Sequence, residues 1–231
     1  SALFTPAYYN TLEAGRAARE LFPSALVVAG GGVPVNMYRE IFRDSACFDA
    51  LCYGEGEKPL AALVRAADKK EFLRTSASWI TREKALKGES FRHDFIYDLD
   101  EIPFYDYGLL NPADYGLSPT ISSYASFGDK KHLFHVATSR GCTHRCCFCS
   151  SHTVHGRTMR YHSAARVRED LTRLRDEYGA GLIGFQDDNF MADKKRAFEL
   201  IDIAKELRLR IFFQSGLALY ALDRNMLEAL K

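Results

Sequence analysis

Long apolar runs are missing from this sequence, and nothing in it approaches the roughly 20 residues that a membrane-spanning helix requires. An excess of one charge is missing too: 31 Lys and Arg against 30 Asp and Glu leave a formal net charge of +1. That balance lacks the basic footprint of a nucleic-acid binder. No GxGxxG follows a strand, so a dinucleotide site of that kind is not indicated. The six cysteines form no regular array and no stretch reads as a secretory leader, which disfavours a disulfide framework and makes a cytoplasmic location the expectation. What is present, 47% hydrophobic and 26% charged residues over 231 positions, suits an ordinary enzyme of one large domain or two modest ones.

The most informative stretch is Ser139-Arg140-Gly141-Cys142-Thr143-His144-Arg145-Cys146-Cys147-Phe148-Cys149. Cys142, Cys146 and Cys149 follow a CxxxCxxC spacing, which supplies three thiolates from one short loop and suits a four-iron cluster with one iron free of protein ligands. A zinc site is the competing reading. Zinc wants four tetrahedral ligands, for which His144, His152 or Cys147 stand nearby, but a second CxxC pair is lacking. Cys47 and Cys52 sit in an apolar stretch and read as core.

The first 70 residues alternate helical patterns with short apolar runs at Ala25–Ala29 and Phe48–Cys52, the signature of a parallel sheet buried on both faces. Gly30-Gly31-Gly32 follows the first run at the carboxyl end of the strand, where open α/β sheets bind ligands. From Glu71 to His132 the periodicity fades and turn residues gather, as in Asp98-Leu99-Asp100-Glu101-Ile102-Pro103. This segment reads as an aromatic-rich connector packed against its neighbours.

From Leu133 the order is strand, cysteine loop, helix, strand, helix, strand, helix. Strands are expected at Leu133–Thr138, Leu182–Phe185 and Ile211–Phe213. Ser163 and Asp223 are positioned to cap helices, the first with Val167, Leu171 and Leu174 on one face. Three β/α repeats form the start of a parallel barrel. Gln186, Asp187 and Asp188 end the second strand on the rim that carries the cysteine loop, and Gln214 and Ser215 end the third. Arg157 and Arg160, between loop and helix, stand near the same rim, although loop arginines usually serve as surface ion pairs.

Gly-Cys-x-x-x-Cys-x-Phe-Cys after an apolar strand resembles the cluster loop of the radical S-adenosylmethionine (SAM) enzymes. Ser1-Ala2-Leu3, placed 26 residues before Gly30, is similar to the paired SxL and GG motifs of cobalamin-binding domains. Asp49 to Glu57 resembles the D-x-x-x-x-GEGE segment that closes such a domain in the cobalamin-dependent branch. The resemblance implies an α/β chain with the second half of a Rossmann-like cobalamin-binding domain at residues 1–70, a connector at 71–132 and the first three β/α units of a partial barrel at 133–231. It implies an interior fragment, without the DxHxxG loop of the family.

By the same resemblance, Cys142, Cys146 and Cys149 hold a 4Fe-4S cluster. Phe148, Gln186, Asp187, Asp188, Gln214 and Ser215 line the SAM site, and Ser1, Leu3, Gly30, Gly31, Gly54 and Glu55 line the cobalamin slot. The implied chemistry is reductive cleavage of SAM to a 5'-deoxyadenosyl radical, followed by cobalamin-dependent methyl transfer to an unactivated carbon, or in some members cyclisation or rearrangement. The implied partners are a small-molecule or natural-product substrate and an external one-electron donor of flavodoxin or ferredoxin type. No nucleic acid and no membrane span are expected.

Overall fold

The computed structural model describes residues 5–109 and 133–231. The described residues form two compact units: 5–97 with 144–157, and 98–109 with 133–143 and 158–231. No helix among them is long and apolar enough to cross a membrane.

In the first unit, α1 (Tyr8–Leu21) leads to β1 (Val28–Ala29), α2 (Gly32–Asn36), α3 (Tyr38–Asp44) and β2 (Ala50–Cys52). Then come α4 (Glu57–Arg65), α5 (Lys69–Thr75), β3 (Trp79–Ile80), α6 (Arg82–Lys87) and α7 (His152–His155). β1 pairs parallel with β2 as Val28 with Ala50, while β3 adds antiparallel on the other side. The apolar run at Ala25–Ala29 yields only the short strand Val28–Ala29. The Val27 carbonyl accepts from the Asp49 N–H at 2.8 Å, while the Val27 N–H goes to the Asp49 carboxylate at 2.7 Å, which also takes the Arg19 guanidinium at 2.6 Å. Leu51 and Ile80, both fully buried, join Leu12, Ile41 and Phe42 in one core, and Cys52 and Trp79 face a second with Leu63 and Leu73. Cys47 and Cys52 are buried free thiols, as their apolar surroundings predict. Burial pushes the Cys52 thiol up to about 12, which makes it inert.

The stretch from Glu71 carries α5, β3 and α6, so the compact first unit runs on to residue 97, beyond the boundary the fading periodicity predicts at 70. The physical reason is length. A two-residue strand shows no alternation, and α6 is held by a cap, Thr81 accepting from the Lys84 N–H, more than by a hydrophobic stripe.

In the second unit, β4 (Leu133–Val136), β5 (Ser139–Arg140), β6 (Arg160–Tyr161), α8 (Ala164–Tyr178), β7 (Leu182–Phe185), α9 (Lys194–Glu206), β8 (Arg210–Phe213) and α10 (Arg224–Leu230) follow in order. β4, β7 and β8 form one parallel sheet in that order, in register at Phe134, Ile183 and Ile211. Parallel strands separated by α8 and α9 are β/α units. α8 starts where Ser163 accepts from the Arg166 N–H and ends at Gly179 in the left-handed conformation. Val167, Leu171 and Leu174 of α8 and Leu200 and Ile201 of α9 are almost wholly excluded from water. Each such side chain contributes about 1.5–3 kcal/mol of burial free energy. Asp223 caps α10 by accepting from the Met226 N–H. The first predicted strand stops at Val136, because the chain turns at Thr138 and Ser139–Arg140 pairs antiparallel with β6.

The aromatic residues of the predicted connector are divided between the units. Phe91, His93 and Phe95 stack within the first. Phe104 and Tyr107 pack on Tyr178 in the second, with the Arg173 guanidinium 4.2 Å from the Phe104 ring centre.

Candidate active site

The cysteine loop leaves β5 through Gly141. Cys142 is half-buried, Cys146 and Cys149 are exposed, and none is in a disulfide. A turn joins the latter two, the Cys149 N–H donating to the Cys146 carbonyl at 3.2 Å. Among the described residues no group of three or more His, Cys, Asp or Glu side chains is gathered closely enough to hold a metal ion. The donor chemistry nevertheless fits an iron–sulfur cluster, with three soft thiols outside any disulfide within one short loop. Cys147 is exposed beside them, and Phe148 projects into solvent at 88% exposure.

The two adjacent acids after β7 have different fates. Asp187 is 3% exposed and faces inward, accepting from the Thr138 N–H at 3.2 Å, the Thr138 hydroxyl at 2.8 Å and the Ser139 hydroxyl. Burial pushes its carboxyl up, against those hydrogen bonds and the nearby Arg196 charge. Arg196 in turn donates through Nη2 to the Thr138 carbonyl at 2.7 Å and the His162 carbonyl at 3.2 Å. Asp187 and Arg196 therefore clamp the turn that opens the cysteine loop. This is a different placement from the rim-facing SAM contact expected of Asp187. Asp188 stays partly exposed.

Gln186 and Gln214 meet at the ends of β7 and β8, the Gln186 Nε2 donating to the Gln214 Oε1 at 2.8 Å. Ser215 follows in the exposed turn. The structure thus brings the two glutamines together on one rim, as the parallel register requires. Arg160 is buried on β6, and Arg157 donates to the His144 carbonyl at 2.5 Å.

In the first unit Gly30 and Gly31 sit at the carboxyl end of β1. Gly31, at φ 104°, turns the chain into α2, and a Cβ on Gly30 would stand 3.3 Å from the Cys52 Cβ. The glycines are thus suited to the turn at Gly31 and to the close approach of Cys52 to Gly30. Gly54 and Glu55 are both buried. The His93 ring occupies the space a Gly54 side chain would need, and the Glu55 carboxylate receives the His155 Nδ1–H at 3.0 Å. Ser1 and Leu3 lie outside the described residues. Thr138, Ser139, His93, His155 and Arg196 were not singled out by sequence reasoning, because their partners are remote in the chain and no local spacing marks them.

Two α/β units, a glycine turn at a parallel-strand end and a three-cysteine loop before a β/α repeat define an α/β scaffold. No protein-family model matches the chain. It is 31% identical over 227 residues to an uncharacterized methyltransferase of Pyrococcus horikoshii, covering 98% of this chain and 47% of that protein. It is 34% identical over 131 residues to the cytidylyl-2-hydroxyethylphosphonate methyltransferase of Streptomyces wedmorensis, covering 57% of this chain and 24% of that protein. It is also 27% identical over 208 residues to the anaerobic magnesium-protoporphyrin IX monomethyl ester cyclase of Cereibacter sphaeroides, covering 86% and 31% respectively. The chain therefore spans about half the length of the first relative and less of the others.

Its fold is similar to that of the cobalamin-dependent SAM radical enzyme OxsB, solved with aqua-cobalamin and SAM bound, at a TM-score of 0.67 and 16% identity over 91% of this chain and 29% of that one. The radical SAM methyltransferase TsrM from Kitasatospora setae, solved with cobalamin and a 4Fe-4S cluster bound, gives a TM-score of 0.58 and 18% identity over 87% and 39%. In sequence the chain is thus similar to methyltransferases and an anaerobic cyclase, and in fold to cobalamin-dependent radical SAM enzymes.

Proposed function

We propose that this protein carries out cobalamin-dependent radical SAM methyl transfer to an unactivated carbon of a small-molecule substrate. The observation that carries the reading is the loop of three cysteines outside any disulfide, Cys142, Cys146 and Cys149, entered from a clamped turn at the end of a parallel β/α sheet. When bound through these thiols, a 4Fe-4S cluster supplies the electron that divides SAM into methionine and a 5'-deoxyadenosyl radical. The chain's own residues have distinct tasks. Asp187 and Arg196 hold the loop's entry, the paired Gln186 and Gln214 amides offer hydrogen bonds at the strand ends to SAM's polar groups, and the backbone of Gly30 and Gly31 admits the cobalamin tail. Asp188, partly exposed beside Gln186, is the acid placed for SAM's ammonium group, and Phe148 can fold onto the adenine.

The electron comes from a flavodoxin- or ferredoxin-type donor in the cytoplasm. Similarity to methyltransferases supports methyl transfer. Similarity to an anaerobic cyclase supports a second reading, in which the substrate radical closes a ring instead.

The test is anaerobic reconstitution with iron and sulfide, reduction, and electron paramagnetic resonance with and without SAM. A four-iron signal that SAM perturbs, and that Cys142→Ala, Cys146→Ala or Cys149→Ala abolishes, is the expected result. One tightly held zinc and no iron would refute it and make the loop a zinc-organised binding element.

A further inference from the structure

Residues 144–157, which include Cys146 and Cys149, belong to the first unit. Their helical part, α7, is a single turn without a side-chain N-cap, too short to be stable by itself. Its conformation is set by what it touches.

Three hydrogen bonds fasten it. Glu55 receives the His155 Nδ1–H at 3.0 Å, His93 Nε2 donates to the Thr153 carbonyl at 2.8 Å, and Asn36 Nδ2 donates to Thr153 Oγ1 at 2.9 Å. Stacked rings support them. His93 and Phe95 lie 4.7 Å apart at 15°, the first filling the side-chain space at Gly54 and the second that at Gly156. Lys58 fixes this strip by donating to the Phe95 carbonyl at 2.8 Å. Glu55 is 4% exposed. Burying a carboxylate is costly unless it is hydrogen-bonded, and the fold answers that need with a residue 100 positions away.

We propose that Glu55 is a positioning residue for the cluster loop, acting with His155 and His93 to present Cys146 and Cys149 in one conformation to iron. The proposal rests on the reading of those cysteines as cluster ligands, and it makes Glu55 an anchor instead of a cobalamin contact. Its consequence is that the glycine–glutamate loop after β2 controls how well the cluster assembles.

The test begins with hydrogen exchange of the 150–157 amides in the metal-free protein. Loss of a hydrogen bond to a buried carboxylate is expected to speed exchange there about tenfold or more in Glu55→Ala and in His155→Ala. Little further change is expected in the double variant, and partial rescue in Glu55→Gln. His155 is partly exposed, so its variant keeps the test open if Glu55→Ala does not fold. After reconstitution, the same variants should bind less iron and give a broader cluster signal, with cobalamin content equal to that of the parent. Unchanged exchange in His155→Ala would overturn the proposal, as would additive effects in the double variant or loss of cobalamin without a change in exchange. If the parent itself binds no cluster, the functional reading fails, while the exchange data still decide the anchor.

Discussion

Replacing Asp187 separates a clamp from a ligand contact. The carboxylate accepts three hydrogen bonds from Thr138 and Ser139, and each hydrogen bond to a charged group contributes about 1.5–3 kcal/mol net. Part of that sum offsets the desolvation that raises its pKa. The two hydroxyls can rotate to other acceptors, but the Thr138 N–H cannot. Asp187→Ala is therefore expected to cost about 2–4 kcal/mol. Asp187→Asn keeps the shape and can leave its carbonyl on the Thr138 N–H, but the two hydroxyls must then turn from donors into acceptors and the charge-assisted bonds are lost, so it should cost about 1–3 kcal/mol. Urea denaturation followed by circular dichroism gives the midpoints, and Thr138→Val in a double-mutant cycle gives the coupling, expected at about 0.5–3 kcal/mol. If Asp187→Asn unfolds within about 0.5 kcal/mol of the parent while SAM binding alone weakens, the clamp reasoning is refuted and Asp187 is a SAM ligand.

Lys84, 6% exposed, donates to the carbonyls of Leu73, Ser76 and Trp79. Lys84→Met should lower stability by about 2–4 kcal/mol by stranding the end of α5, and a change under about 0.5 kcal/mol would show that water replaces the ammonium. Gly54 has φ +89°, and a Cβ there would come within 2.5 Å of the His93 ring. Gly54→Ala is expected to cost about 2 kcal/mol or more and to displace His93, seen as faster exchange at the Thr153–Gly156 amides. Burial holds the His162 pKa below 6.5, a larger effect than the opposing hydrogen bond to Asp100. The unfolded chain then takes up the proton more readily, so this contribution is whole above pH 6.5 and is lost as pH falls through the window beneath it. The urea midpoint should fall between about pH 7 and about pH 5 more steeply in the parent than in His162→Gln, and identical slopes would contradict the assignment.

Features that depend on near neighbours in the chain were legible in the sequence. The strand at Leu182–Phe185, the caps at Ser163 and Asp223 and the buried face of α8 all appear where spacing puts them, because periodicity and capping act over a few residues. The spacing of the cysteine loop was legible for the same reason, since it is a matter of residue type and interval. Only the tertiary structure decided which way the two acids after β7 point. Alternation sends one inward and one outward, and it is Thr138 and Ser139, some 50 positions earlier, that take the inward one. Likewise Glu55 stands in a motif that resembles a cofactor loop, yet its carboxylate meets His155 at a separation of 100 residues. The sequence by itself determined the local elements and the donor set. Their assembly was left to tertiary packing, since a buried charge is satisfied by whichever group the folded chain brings within about 3 Å, whatever its distance along the chain.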